Sequence, residues 1–576
     1  MPRLFDIPAS LPFTPISPDV DPEKVALGFL PSLTTLSPSS ITSSGTWRDL
    51  YALTGTLRTF YGPSSILTAW AATTKLLQPT KFSLQPNSAQ IFRAGPLCWI
   101  QAIYEFETEK TDCQAIVSLV QDDGEWRIWL LRTFLMGFKG ENSVDFLEPE
   151  GGKAEGKEDT SFDCVVVGAG QAGLSVAGRL KALGVSCVVL EKSPEVGDNW
   201  RMRYDSCKLH LPRETAHLPF DRTFGPECSE HLTKNELAQG YKNWVEKFDI
   251  NVWTDTKLVK GDWDGSKKLW TLKVQRGRED RTITSSHVVF AVGSAQIPSM
   301  PEYSTREKFE GTILHSKDYK NPSAWKGKHG IVIGTANTAH DVVEDMVAAG
   351  LASVTMVQRS PTYVVPAEYL HGLISQSYNA QFPTYLADQF SWSMPYPIVG
   401  RLYKGGLGHL ASLEPKRYDA LKAAGFKFDQ NGSVGESIFD RFGGHYVDVG
   451  ASKKIADGLI KIKSDSLPTH YTAEGLAFAD NSVLPADVVV FATGFQTNLR
   501  SVVTEIFSPS TADAMGDFWG VDSEGELRAA FRPGGQKGMF YTGGDQSQCR
   551  FYSRFIALSI KADVMGAPLP IYDGGS

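Results

Sequence analysis

The stretch DCVVVGAGQAGLSVAGRLKALG, residues 163–184, decides how this chain is read. A run of β-branched residues, a glycine-rich turn and an amphipathic segment with Leu174, Ala177, Leu180 and Leu183 on one side predict a buried parallel strand, a tight turn and a helix. Gly168 permits the turn, Gly170 lets a pyrophosphate approach the backbone, and Gly173 allows the helix to pack against the strand. The helix N-terminus offers free N–H groups to phosphate. A second apolar run, SCVVLEK, ends in Glu191, 23 residues after Gly168, the spacing at which an acid reaches a ribose 2′-hydroxyl. An acid there admits an unphosphorylated adenosine, that of FAD or NAD, and repels a 2′-phosphate.

The plan recurs in KHGIVIGTANTAHDVVEDMVAAGLASVTMVQRSP, residues 328–361, with Gly334 and Asn337 at the turn. Ala336 and Ala339 stand where the second and third glycines would be. Where the first unit has its acid, this one has Arg359, 25 residues after Gly334, and a guanidinium there pairs with the 2′-phosphate of NADPH.

Outward from these turns, 576 residues are too many for one core. A net charge of −8 without a Lys/Arg block argues against nucleic acid and against a polybasic membrane patch. Without an apolar leader or a spanning stretch, the chain is expected to be cytoplasmic, with no stable membrane insertion. Seven scattered cysteines lacking any C-x-x-C spacing suggest neither a disulfide framework nor a zinc site, so no metal is expected. Toward the N-terminus, WRDLYALTGTLRTF, residues 47–60, has helical spacing. CQAIVSLVQ and WRIWLLRTFL, joined through Asp123-Gly124, predict a β-hairpin. Residues 139–160, charged and Gly-rich, read as a linker.

Taken together, the chain from 162 to 562 resembles the class B flavin-dependent monooxygenases, close to the plant and fungal indole-pyruvate branch. The resemblance is carried by KFEGTILHSKDY, which fits the family's F-x-G-x-x-x-H-x-x-x-[Y/F] at Phe309, Gly311, His315 and Tyr319. Tyr319 stands where Baeyer–Villiger members have Trp and favours the flavin-containing side. GDNW, with Asn199 and Trp200, resembles a G-G-x-W segment along the flavin. DVVVFATGF, with Thr493 and Gly494, resembles the strand linking two dinucleotide units, and TGGDQSQ, with Gly544 and Asp545, resembles a closing flavin contact. In LHLPRET, His210 takes the place of a family Asn, either supporting the flavin's oxygen adduct or serving as a packed core histidine.

The resemblance implies an α/β fold of two Rossmann-like dinucleotide-binding domains, for FAD and NADPH, behind an α+β domain. The expected boundaries are 1–150 for that N-terminal, NTF2-like domain, 161–325 and 486–576 for the two parts of the FAD unit, and 326–485 for the NADPH unit. Within the NADPH unit, Glu368 to Asp448 reads as helical cover over a substrate cavity. His210 and His315 are the catalytic candidates, with His315 read as ordering the domain junction. The implied activity is insertion of one oxygen atom from O2 into a small organic, secondary-metabolite-like substrate through a flavin hydroperoxide. An uncoupled NADPH oxidase and a flavin reductase without a redox cysteine pair are the alternatives. A homodimer is compatible with the N-terminal domain, for which a lid or a second pocket also stays open.

Overall fold

The computed structural model describes residues 2–149, 159–294 and 296–574. Ser161–Val167, the glycine turn and the helix Gln171–Ala182 follow one another as the sequence predicts. The strand lies inside a seven-stranded sheet in the order 252–253, 187–190, 161–167, 279–290, 269–276, 256–264, and Met539–Tyr541 pairs alongside Glu279–Phe290. The strands nearest the turn are parallel, so their C-terminal ends converge where ligands bind in open α/β sheets.

The second unit is a five-stranded parallel sheet in the order 312–315, 488–491, 329–333, 353–357, 461–463. Its membership corrects the expected boundaries. Thr312–His315 had been placed in the first part of the FAD unit and Val488–Phe491 in its return, yet both are strands of the second sheet. Val488–Phe491 is buried throughout and Thr312–His315 pairs along it as the edge strand, so the second unit extends from about 312 to 491. Ile297–Pro298 and Phe495–Gln496 pair antiparallel where the chain crosses between the sheets.

The N-terminal residues form a third sheet in the order 57–61, 41–50, 125–138, 111–122, 97–107, 80–84, with 90–94 also paired to 97–107. The expected hairpin is present, Asp123 and Gly124 having φ of 52° and 81°. The expected helix over 47–60 is absent. Ile41–Leu50 and Leu57–Tyr61 are strands joined by a loop. In that loop Tyr51 and Gly55 have positive φ, and the Asp49 carboxylate accepts the N–H groups of Leu53 and Thr54. The apolar spacing of three to four arises because a strand and a loop are each buried on both sides. Burial pushes the Asp49 carboxyl up to about 6 despite hydrogen bonds from Thr133 and Thr54.

Of the expected linker, residues 150–158 lie outside the described residues. Residues just before them are docked rather than loose. Val144 is fully buried, and Asp145 pairs with Arg179 at 2.6 Å and with Arg554 at 2.7 Å. The C-terminal helix, Gln546–Val564, is buried along nearly its whole length and packs across Gln171–Ala182.

Residues 367–374, 384–392, 396–413 and 419–423 are helices, as expected for the cover. One buried side chain ties this cover to the rest. Arg48, on the N-terminal sheet, forms a two-point ion pair with Glu526 at 2.6 and 2.7 Å and donates to the carbonyls of Trp392 and Met394 at 2.8 Å. Among the described residues no helix is long and apolar enough to cross a membrane, and no group of three side chains is arranged to hold a metal.

Candidate dinucleotide and active site

At the first turn the glycines divide into two kinds. Gly168 has φ +107°, and a Cβ there would lie 2.7 Å from the Ala291 carbonyl oxygen. A Cβ on Gly173 would lie 1.9 Å from the Gly168 oxygen. Those two are demanded by the chain's own packing. A Cβ on Gly170 would meet only the Asn199 amide, at 3.6 Å, so the space over the turn is open. The helix beyond begins without a side-chain cap, which leaves its first N–H groups for an anion. Glu191 is already held, accepting from the Ala169 and Ser193 N–H groups at 2.9 Å.

Asn199 and Trp200 lie on a short helix, Asp198–Arg201, beside this turn. The Trp200 indole N–H and the Tyr241 hydroxyl are buried without a hydrogen-bond partner. From the far end of the chain, the Gly544 carbonyl accepts from the Gln171 side chain at 3.2 Å. The Asp545 carboxylate caps the C-terminal helix, accepting from the Gln548 N–H at 2.9 Å and the Ser547 hydroxyl at 2.7 Å. Sequence positions 168, 199 and 544 thus meet at one place.

Across the crossover lies the second turn. Gly334 has φ +125°, and a Cβ there would lie 2.3 Å from the Ala492 oxygen, beside Thr493 and Gly494. The Thr493 hydroxyl donates to the Ser299 carbonyl, and the Ser299 N–H to the Gly494 carbonyl. Asn337 accepts the Val447 N–H at 2.8 Å, which fastens the end of the cover to the first turn of the helix. Arg359 is exposed and forms no salt bridge among the described residues, so its guanidinium is available to a ligand.

His315 has both ring nitrogens committed to backbone. Nδ1 accepts the Lys317 N–H and Nε2 lies 3.1 Å from the Gly494 carbonyl, an arrangement that needs the hydrogen on Nε2. Burial lowers its pKa and keeps the ring neutral. This geometry suits a residue that orders the junction and leaves no ring nitrogen for proton transfer. Its fingerprint partners are structural too. Phe309 is buried, Gly311 leaves no room for a Cβ beside the Asp487 carbonyl, and the Tyr319 hydroxyl donates to Asp345 at 3.2 Å.

His210 is different. Its Nε2 is 3.1 Å from Asp341, whose other oxygen accepts the Tyr204 hydroxyl at 2.5 Å, while Nδ1 is buried and unpartnered. Burial works against its charged form, but the Asp341 hydrogen bond and charge outweigh that, and its pKa ends above the ordinary value. Asp341 and Tyr204 were not singled out from sequence. An ordinary helix Asp and a Tyr 137 residues away give no local signal of meeting. Nearby, His340 stacks on Tyr446 at 3.6 Å and burial pushes it down to about 4. Within the cover, a cavity of about 390 Å³ is walled by Tyr363, Tyr369, Leu407, Tyr418 and Phe428, with Lys404 at its edge.

The chain is similar to several known proteins. Residues 165–384 match the pyridine nucleotide-disulphide oxidoreductase family. The probable indole-3-pyruvate monooxygenase YUCCA3 of Arabidopsis thaliana is 29% identical over 351 residues, 58% of this chain and 74% of that protein. The indole-3-pyruvate monooxygenase YUCCA1 of Oryza sativa subsp. japonica is 27% identical over 344 residues, 58% of this chain and 77% of that protein. Among solved structures, the ε-caprolactone-bound cyclohexanone monooxygenase in its loose conformation superposes with a TM-score of 0.51 at 17% identity, covering 70% of this chain and 88% of that one. The NADP+-bound cyclohexanone monooxygenase from Rhodococcus sp. Phi1 gives 0.50 at 16%, covering 71% and 85%. At such identity the structures speak for the fold.

Proposed function

We propose that this chain, which is similar to the class B flavin-dependent monooxygenases, uses FAD and NADPH to insert one atom of O2 into a small organic substrate. The observation that carries the reading is the pairing of two glycine turns of opposite character, one ending in Glu191 and the other in Arg359, joined through His315 and Gly494. The residues present fit both groups. The turn over Gly170 is open, the Trp200 indole N–H and the Tyr241 hydroxyl are buried without partners, and Arg359 forms no salt bridge among the described residues.

In this reading Gly168, Gly170, Gly173 and Glu191 hold the FAD adenosine and pyrophosphate, Asn199 and Trp200 lie along the flavin, and Gly544 and Asp545 close the site. Gly334, Asn337 and Arg359 hold NADPH, and Thr493 with Gly494 forms the junction. When bound, the two cofactors supply hydride transfer and oxygen activation. The chain supplies position and dryness. Asp341 fixes His210 and favours its protonated form, so His210 is the residue placed to hold a proton beside the flavin. The helical cover excludes water, which otherwise would divert reducing equivalents to H2O2.

The matched family's description raises a disulfide reductase as a second reading. All seven cysteines are free, with no C-x-x-C pair to pass electrons to a disulfide. The test is to reconstitute the protein with FAD and measure NADPH and O2 consumed, H2O2 released and product mass with indole-3-pyruvate, amines and sulfides. Substrate-dependent consumption with little H2O2 and an oxygen atom from labelled O2 in the product is expected. NADPH converted wholly to H2O2 under every substrate would overturn the monooxygenase reading in favour of an oxidase.

A further inference from the structure

One face of the N-terminal sheet carries buried donors that the chain itself does not satisfy. Strand register places Thr46, Arg48, Leu130, Arg132, Ser118 and Gln101 on this face, and Trp99, two residues before Gln101, shares it. Arg132 is 0% exposed. Its guanidinium donates to the Gln101 amide oxygen at 2.6 Å and reaches the hydroxyls of Ser393 at 3.3 Å and Ser118 at 3.4 Å. Its Nε is unpartnered, as are the Trp99 indole N–H and the Thr46 hydroxyl. No carboxylate pairs with it among the described residues. The neighbouring Glu526 is taken up by Arg48, whose own charge adds to that of Arg132.

A buried guanidinium with only neutral partners is costly, and an interior that keeps one ordinarily supplies a counter-charge. Unmet buried donors on one face, beside a buried cation with no carboxylate, call for a bound acceptor. We propose that the face around Arg132 is a binding site for a small monoanion, of halide or carboxylate size, lodged between the N-terminal sheet and the turn that carries Ser393. The free groups there are N–H and O–H donors, which selects an acceptor. Complete burial selects a small one. Because Ser393 lies between Trp392 and Met394, the anion would bind the sheet to the cover as well as neutralise Arg132. Burial and the charge of Arg48 together push the Arg132 guanidinium down to about 9, a strain that a bound anion would relieve.

The test uses the full chain in buffer free of halide and carboxylate, with sulfate holding ionic strength. Sodium bromide and sodium formate are titrated separately while Tm is followed. A saturable rise is expected with one or both, and which salt acts at lower concentration separates halide from carboxylate. Arg132→Met should abolish the rise, and Trp99→Phe, which keeps the ring and removes the N–H, should weaken apparent affinity ~10-fold. No saturable rise with either salt, or an equal rise in Arg132→Met, would overturn the proposal. Should Arg132→Met fail to fold, crystals of the unaltered protein soaked in bromide and, separately, in formate decide. An anomalous peak or carboxylate density against Arg132 Nε supports the site, and water or empty density there in both soaks refutes it.

Discussion

The two glycine turns have the same plan and opposite economy. At the first, Gly168 and Gly173 are locked by backbone contacts that no side chain could share, and the acid Glu191 is already hydrogen-bonded to two N–H groups. At the second, Gly334 is locked in the same way against the Ala492 carbonyl, but a buried Ala339 stands where a third glycine would be, and the base Arg359 is exposed without a salt bridge among the described residues. The acid of the first turn is therefore set by folding, while the base of the second is left without an ion pair among the described residues. A tightly held cofactor suits the first and an exchanging one suits the second.

The largest effect should come from challenging that asymmetry directly. Gly173→Ala forces a Cβ to 1.9 Å from a backbone oxygen and should cost more than about 3 kcal/mol, with loss of bound flavin absorbance. The reciprocal Ala339→Gly should cost only about 1 kcal/mol, the ordinary helix penalty. Comparable losses in the two, read from urea midpoints, would erase the distinction. Next in size, Arg359→Ala should raise KM for NADPH about 10- to 150-fold through loss of a charge-assisted contact of about 1.5–3 kcal/mol. KM for NADH and Tm should barely move, since the side chain is exposed and forms no salt bridge in the free protein.

A smaller effect separates the units by pH. His340, beside the second turn, titrates at about 4 when folded, against about 6.5 for a free histidine. Between those values the unfolded chain binds more protons, so this contribution to stability is complete above about pH 6.5 and declines as pH falls toward 4. His340→Asn should flatten the fall of the urea midpoint over that window. An unchanged slope would remove His340 from the acid response.

What the sequence disclosed follows the same division. The first turn was legible because its glycines and acid keep a fixed spacing; Gly173 answers Gly168 within the turn, although Gly168 itself answers Ala291 at the end of a neighbouring strand. The helix expected at 47–60 failed because apolar spacing there reflects a strand and loop covered from both sides, a tertiary fact. The boundaries at 325 and 486 missed two strands because nothing local tells Thr312–His315 that its neighbour is Val488–Phe491. Asp341 and Tyr204 escaped for the same reason, being ordinary residues until the two units approach. The resemblance singled out His315, and what the sequence left unseen is its contact: the ring is a splint for the Gly494 carbonyl.

Arg48 has a consequence for anyone who would cut this protein into parts. With the front sheet removed, Glu526 would lose both Arg48 and the Thr59 hydroxyl, and the Trp392 and Met394 carbonyls would lose their donor, leaving a carboxylate and two acceptors on a newly cut apolar face. The front quarter is thus mortised into the remainder, and a trimmed version will need position 526 rewritten before it can stand by itself.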